Sequence, residues 1–182
     1  MRIISGKYKG KRIAAPKKLP VRPTTDMAKE ALFNILNNSY YFEKISVLDL
    51  FSGTGNISFE FASRGTDQII AVDTDFGCVK FIDKTAKELH FNITAIKSNA
   101  FAYLEKAAQK TDIIFADPPY DMLLSEFDKI PELVFKNQLL QEDGLLIIEH
   151  SKHMTLSSSP YFSGQRKYGG SVFSFFENIS EN

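Results

Sequence analysis

The sequence predicts an α/β protein, a seven-stranded and mostly parallel sheet covered by helices on both faces and finished by an antiparallel hairpin. Two observations carry this. Between residues 46 and 150, five short apolar runs alternate with stretches of helical period, the pattern of βαβ units. After residue 160, Tyr161 to Tyr168 and Val172 to Phe176 flank Gly169-Gly170, a good two-residue hairpin turn. Length agrees. A chain of 182 residues makes about one domain and buries roughly 70% of its unfolded surface, so it needs no disulfide staples.

Composition narrows the class. With 43% hydrophobic and 24% charged residues the chain is neither disordered nor fibrous. The single cysteine, Cys78, excludes an internal disulfide and a Cys-rich zinc site, so no metal site is expected. No apolar run approaches the ~20 residues of a membrane helix, and Met1 to Lys7 lacks a signal-peptide core, which predicts a cytoplasmic protein. The net charge of zero hides an asymmetry. Residues 1–30 hold nine lysines or arginines against Asp26 and Glu30, a net of +7, and the rest of the chain carries −7. A basic arm on an acidic body suggests a polyanion partner for the arm; the alternative is a solvated, mobile N-terminus that keeps the protein soluble.

The elements follow in order. Gly6, Gly10, Pro16, Pro20 and Pro23 oppose helix in the arm, while Ile3-Ile4 and Arg12-Ile13-Ala14 suit a short hairpin. Thr25 or Asp26 is a good N-cap for a helix whose buried stripe is Ala28, Ala31, Leu32, Ile35 and Leu36. Strands are expected over residues 46–51, 68–73, 93–97, 112–116 and 144–150. Between them lie helices through Phe59 to Ala62, Val79 to Leu89 and Ala100 to Ala108, and a long helical region interrupted at Pro131. Cys78 falls on one of these helices and reads as packing.

Chemistry concentrates at the strand ends. In Asp49-Leu50-Phe51-Ser52-Gly53-Thr54-Gly55, the glycines let the backbone turn sharply and approach a ligand. Asp73 closes the next strand about 20 residues on, placed to accept ribose hydroxyl protons; a strand-end or capping role is the alternative. Ser58 stands where a dinucleotide fingerprint needs its third glycine, and Asp49 would repel a pyrophosphate. The pattern fits better a ligand with a positive amino group, as S-adenosylmethionine has. Asn99, before Ala100, either meets the adenine edge, caps the following helix, or both.

Asp117-Pro118-Pro119-Tyr120 is the sharpest signal. Two prolines remove two donors and stiffen the turn, leaving the Asp117 carboxylate and the Pro118 carbonyl as acceptors beside an aromatic face. An exocyclic amine on a flat base needs that frame, because its lone pair is delocalised until two acceptors hold its hydrogens. Positioning and electrostatics then supply most of the catalysis. The alternative is a rigid turn with Asp117 as a helix cap.

With these residues in view the chain resembles the RsmD family of class I S-adenosylmethionine-dependent methyltransferases nearly end to end. The resemblance rests on Arg2 to Lys7 with Gly10-Lys11-Arg12, and on Arg22 to Asp26 with Glu30 to Asn34. Asp49 to Gly55, Ser63-Arg64-Gly65 and Asp117 to Tyr120 complete it. It implies a Rossmann-like fold, with residues 1–25 as a basic RNA-binding extension and 26–182 as the methyltransferase domain. It also implies methyl transfer to N2 of a guanine in 16S ribosomal RNA, alone or in the small subunit, by a monomer. Asp117, Pro118, Pro119 and Tyr120 would be catalytic. Asp49, Phe51, Gly53, Gly55, Asp73, Asn99 and Ala100 would hold the cofactor, and Arg2, Lys7, Lys11, Arg12, Arg22, Thr24 and Thr25 the RNA. A DNA or other amino-methyltransferase, or a non-catalytic RNA-binding assembly factor, are the alternatives. Met27 and Lys29 stand where the family usually has arginines, a change expected to weaken or reshape an RNA contact; Ser58 replaces a common glycine and Asp73 a common glutamate. His150 reads as a partly solvated strand-end residue, with a place lining the base pocket as the alternative.

Overall fold

The computed structural model describes residues 1–16, 18–19 and 24–178. Its strands are β1 (Ser46–Leu50), β2 (Gln68–Asp73), β3 (Ile93–Lys97), β4 (Thr111–Ala116), β5 (Leu140–Ser151), β6 (Phe162–Tyr168) and β7 (Ser171–Glu177). They form one seven-stranded sheet in the order β3-β2-β1-β4-β5-β7-β6. β1 to β5 are parallel, and β7 runs antiparallel to both of its neighbours. Helices α1 (Asp26–Leu36), α2 (Asn56–Ser63), α3 (Phe76–Leu89), α4 (Ala100–Lys106) and α5 (Leu124–Lys136) cover it. The expected parallel sheet and closing hairpin are both present.

Two apolar layers explain the strand sequences. Val47, Ile113 and Ile147 pack on one face with Leu32, Phe33, Phe59, Phe61 and Ile82 of α1 to α3. Leu48, Ile114 and Ile148 pack on the other with Leu104, Phe127, Ile130 and Val134 of α4 and α5. Neighbouring residues point to opposite faces, so strands buried on both sides read as unbroken apolar runs.

Three local expectations change. α5 continues through Pro131 instead of breaking there. An interior proline costs ~3 kcal/mol, but buried Phe127, Ile130 and Val134 each contribute ~1.5–3 kcal/mol, so packing outweighs propensity. β5 starts at Leu140, four residues early, because a register irregularity between Thr111 and Ile113 absorbs the segment before Gly144. His150 is fully buried rather than partly solvated. Its Nδ1 lies 2.9 Å from the Ser151 carbonyl, an acceptor, so Nδ1 carries the hydrogen and Nε2 accepts from the Ser174 hydroxyl at 2.8 Å. Burial lowers its pKa below the usual histidine value, which keeps the ring neutral.

The N-terminal hairpin forms, with Arg2 and Arg12 bridged antiparallel, and it is docked. Ile3 and Ile13 enter the same apolar layer as α1 and α2. Buried Glu60 of α2 accepts the amides of Ile4 (2.8 Å) and Ser5 (3.0 Å), and Ser63 takes the Tyr8 amide while its hydroxyl donates to Ser5. Contact is so close that a Cβ on Gly6, at φ +82°, would lie 1.8 Å from the Ser63 carbonyl oxygen. Only glycine fits. Two cations complete the shell of Glu60: Arg64 Nε at 2.8 Å and Lys29 Nζ at 3.5 Å. Ser63-Arg64-Gly65, noticed in the sequence only as a shared motif, therefore fastens the hairpin.

Candidate active site

Strand register builds the site. Leu50 pairs with Val72 and with Ala116, and Asp73 with Lys97. The residues that follow or end these strands, Phe51, Asp73, Ser98 and Asp117, therefore fall along one edge of the sheet. Ligands of parallel sheets bind at this edge, outside the carboxyl ends of the strands. A cleft of about 370 Å³ lies there, lined by Phe51, Gly53, Asp73, Thr74, Asp75, Cys78 and all of Asp117 to Tyr120. That volume is in the range of small-molecule sites.

The glycine loop is tied to the acid of β2. The Gly53 amide donates to Asp73 Oδ2 at 2.7 Å, and the Asp75 amide to Oδ1 at 2.8 Å. Each carboxylate oxygen keeps a further lone pair for a ligand hydroxyl. Phe51 sits at φ 57°, a left-handed conformation that costs a non-glycine residue ~1–2 kcal/mol. The strained residue lies in the cleft wall, its ring edge-on to Phe101.

Asp49 lies one layer deeper, in a small adjoining cavity shared with Thr24, Gly53 and Asp117. It is 1% exposed. Its Oδ2 accepts both the hydroxyl and the amide of Ser58, so the serine that replaces a glycine is the residue that orients this carboxylate. Burial pushes the Asp49 carboxyl up to about 7; the two Ser58 hydrogen bonds oppose that rise and the Asp73 charge adds to it. Such a group is sensitive to any positive charge brought beside it.

Other predicted residues lie elsewhere. Gly55 is the N-cap of α2 at φ +79°, where a Cβ would press on Ile82 and Phe59. Asn99 caps α4 by accepting the amides of Phe101 and Ala102, and neither it nor buried Ala100 is in the cleft wall. Arg2, Lys7, Lys11 and Arg12 all sit on the docked hairpin; Arg2 pairs with Asp26 at 3.0 Å, and both lysine ammoniums lie over the Tyr8 ring. Arg22 lies outside the described residues. Thr24 is buried and donates to Glu149 at 2.8 Å, and Thr25 caps α1. Lys29, expected at an RNA contact, is instead interior. It donates to the Arg2 carbonyl (2.6 Å) and to Asn56 Oδ1 (2.8 Å), and burial lowers its pKa against the pull of Glu60. Met27 is 62% exposed.

Sequence reasoning missed Asp75, Cys78 and the Glu60 group. Asp75 carried a signal, since an acid just before Cys78 is a helix cap, and it makes that bond at 2.8 Å. Glu60 carried one too, as the lone charge in the stretch from Asn56 to Ser63.

The donor set fits S-adenosylmethionine. Among the described residues the cleft wall holds three carboxylates, Asp73, Asp75 and Asp117, with aromatic and proline surface and no lysine or arginine. That suits a cationic ligand with a ribose and a flat base and disfavours a polyphosphate. No group of His, Cys, Asp or Glu among the described residues could hold a metal ion, and no helix there is long and apolar enough to cross a membrane.

Comparison with known proteins agrees. The family model described as conserved hypothetical protein 95 matches residues 1–177. YlbH of Bacillus subtilis (strain 168) is 35% identical over 161 residues, 86% of this chain and 85% of that one. Ribosomal RNA small subunit methyltransferase D of Escherichia coli (strain K12) is 29% identical over 88% of this chain and 79% of its own. A Thermus thermophilus 16S rRNA N2 methyltransferase (RsmC), solved with AdoMet and guanosine, superposes with a TM-score of 0.66 at 20% identity, over 87% of this chain and 45% of that one, a likeness of fold. On sequence and fold together, the chain belongs to the RsmD family of class I S-adenosylmethionine-dependent methyltransferases.

Proposed function

We propose that this protein methylates the exocyclic N2 of a guanine in small-subunit (16S) ribosomal RNA. The observation that carries the reading is one cleft holding both the acid-and-glycine wall of β1 and β2 and the Asp117-Pro118-Pro119-Tyr120 turn of β4. Bound S-adenosylmethionine supplies an electrophilic methyl carbon on a sulfonium. Asp49, one layer below the cleft wall, would offset the charge of its amino group, Asp73 would accept from its ribose hydroxyls, and Phe51 and Gly53 would line its body; Asn99 and Ala100 lie outside that wall and would serve the cofactor only by fixing the start of α4.

At the other end of the cleft, the Asp117 carboxylate and the Pro118 carbonyl accept the two hydrogens of the guanine amine. This frees the nitrogen lone pair from the ring. Tyr120 stacks on the base and fixes its angle, a contribution of proximity rather than of acid or base strength. The alkylated nitrogen becomes acidic, so a weak base suffices, and Asp117 or water takes the proton. Residues 1–25 form the RNA-binding extension. Arg2, Lys7, Lys11, Arg12 and Arg22 track phosphates while the base leaves its stack. Thr24 and Thr25 brace the junction with α1. The protein acts as a monomer in the cytoplasm, where ribosomal RNA is made.

Tritiated methyl incorporation tests this. A 16S ribosomal RNA transcript or isolated small subunits should take up label that nucleoside digestion returns as N2-methylguanosine, and duplex DNA should not. Asp117→Ala should lose turnover and keep cofactor binding; Tyr120→Phe should stay active and Tyr120→Ala should not. Label only in DNA overturns the substrate, and cofactor binding without transfer to any RNA overturns the enzyme.

A further inference from the structure

One charged surface is used by neither the arm nor the cleft. The chain beyond residue 30 carries −7, yet residues 150–176 contain no aspartate or glutamate, while Lys152, Arg166 and Lys167 fall among them. The fold gathers these three at one corner of the sheet. Lys152 follows the end of β5, and its amide donates at 3.3 Å to Gly170, in the turn between β6 and β7. Arg166 and Lys167 lie in β6, opposite Phe173 and Val172 and just before that turn. All three residues are exposed, and among the described residues none is in an ion pair. Consecutive strand residues point to opposite faces, so Arg166 and Lys167 place charge on both sides of the edge strand.

This corner touches the candidate catalytic turn. The Tyr120 hydroxyl lies 3.3 Å from Ser171 Oγ, and Ser171 pairs with Ser151 on one side and Tyr168 on the other. Met27, at the start of α1, lies within reach of Gly169, and Asp26 beside it is already neutralised by Arg2. Charge on an edge strand also deters edge-to-edge pairing. Lys152, which is outside that strand, has no part in such a role.

We infer that Lys152, Arg166 and Lys167 form a second phosphate-binding surface, separate from the N-terminal arm, which holds the RNA backbone next to the base received at Tyr120. The inference rests on the RNA-methyltransferase reading above. Backbone phosphates fit because they ask only for mobile cations at an exposed rim, with no shaped pocket.

The test uses the full chain and a 16S ribosomal RNA transcript, with affinity measured across a potassium chloride series. Replacing Lys152, Arg166 and Lys167 together by alanine should flatten the slope of log K against log salt by about 2–3, since each phosphate contact contributes ~0.7–0.9. Near 0.1 M salt this is about a 100-fold loss of affinity. Lys106→Ala with Lys110→Ala, at the opposite end of the strands, should change nothing. Lys152→Arg with Lys167→Arg should keep the full slope, and Lys152→Ala alone, should the triple variant not fold, should flatten it by about one contact. An unchanged slope in the corner variants, with flattening in Lys7→Ala/Lys11→Ala/Arg12→Ala, overturns the second surface alone. An acidic protein of the subunit as the true partner would give that same result. Equal losses at Lys106 and Lys110 overturn it as unspecific charge. Failure of the unaltered chain to bind the transcript overturns the RNA reading itself.

Discussion

Replacing Asp49 by asparagine should stabilise the cofactor-free protein while weakening cofactor binding. Asp49 is buried, and its carboxyl is pushed up to about 7 from an ordinary 3.8, mainly by loss of water. At about 1.4 kcal/mol for each tenfold change in proton affinity, holding the ionised form in the fold costs about 4 kcal/mol above neutral pH. The sign follows from the direction. The folded protein binds this proton more tightly than the unfolded chain does, so the stability it confers is complete below pH 3.8 and is lost as pH rises through 7. An asparagine side chain at this position would keep an oxygen for the Ser58 donors and carry no charge. Urea unfolding of Asp49→Asn and the unaltered protein should differ by up to about 4 kcal/mol at pH 8, and by about 2 kcal/mol at pH 5. Calorimetry at pH 8 should show the variant binding S-adenosylmethionine more weakly, since the amino group has lost its counter-charge. A variant no more stable than the parent at pH 8, or a gap that does not narrow at pH 5, would refute this account of the buried charge.

Three further outcomes are expected. Glu60→Ala leaves the buried Lys29 charge without its counter-ion and the Ile4 and Ser5 amides without their acceptor, so it should cost about 3–5 kcal/mol in urea unfolding, and limited trypsin digestion should then cut after Lys7 and Lys11. Gly6→Ala should undock the hairpin, weakening binding to a 16S ribosomal RNA transcript while calorimetric cofactor affinity holds; equal loss of both would move Gly6 from the arm to the fold as a whole. Burial, with Asp73 and Asp75 adding to it, pushes the Cys78 thiol up to about 12, so iodoacetamide at pH 8 should label it about a thousand-fold more slowly than the unfolded chain, as read by mass spectrometry.

Much of the fold was legible because it depends on local pattern. Apolar runs such as Ile113 to Ala116 have one stable place, between two layers, and Gly169-Gly170 bends the chain where φ reaches +62°. The candidate site was legible for a related reason. A parallel sheet brings every strand's carboxyl end to the same edge, so Asp49, Asp73 and Asp117 could be placed near one another before any distance was known. Local propensity alone breaks the helix at Pro131; α5 continues because Phe127 and Val134 pack on either side of it.

Periodicity and turn residues act over a few positions, so the layers, the strand ends and the chemistry gathered there can be read along the chain. The fate of isolated charges is settled by folding. In the sequence Lys29 counts as one more cation of the basic N-terminal stretch; it is interior because Glu60, 31 residues later, arrives with Arg64 to offset the loss of water. Asn99 reads as an adenine contact, a helix cap or both; it caps α4 and lies outside the cleft wall, and Thr24 is occupied by Glu149 across 125 positions. A buried polar group goes where a partner waits, and partners distant in sequence meet only when the chain has folded.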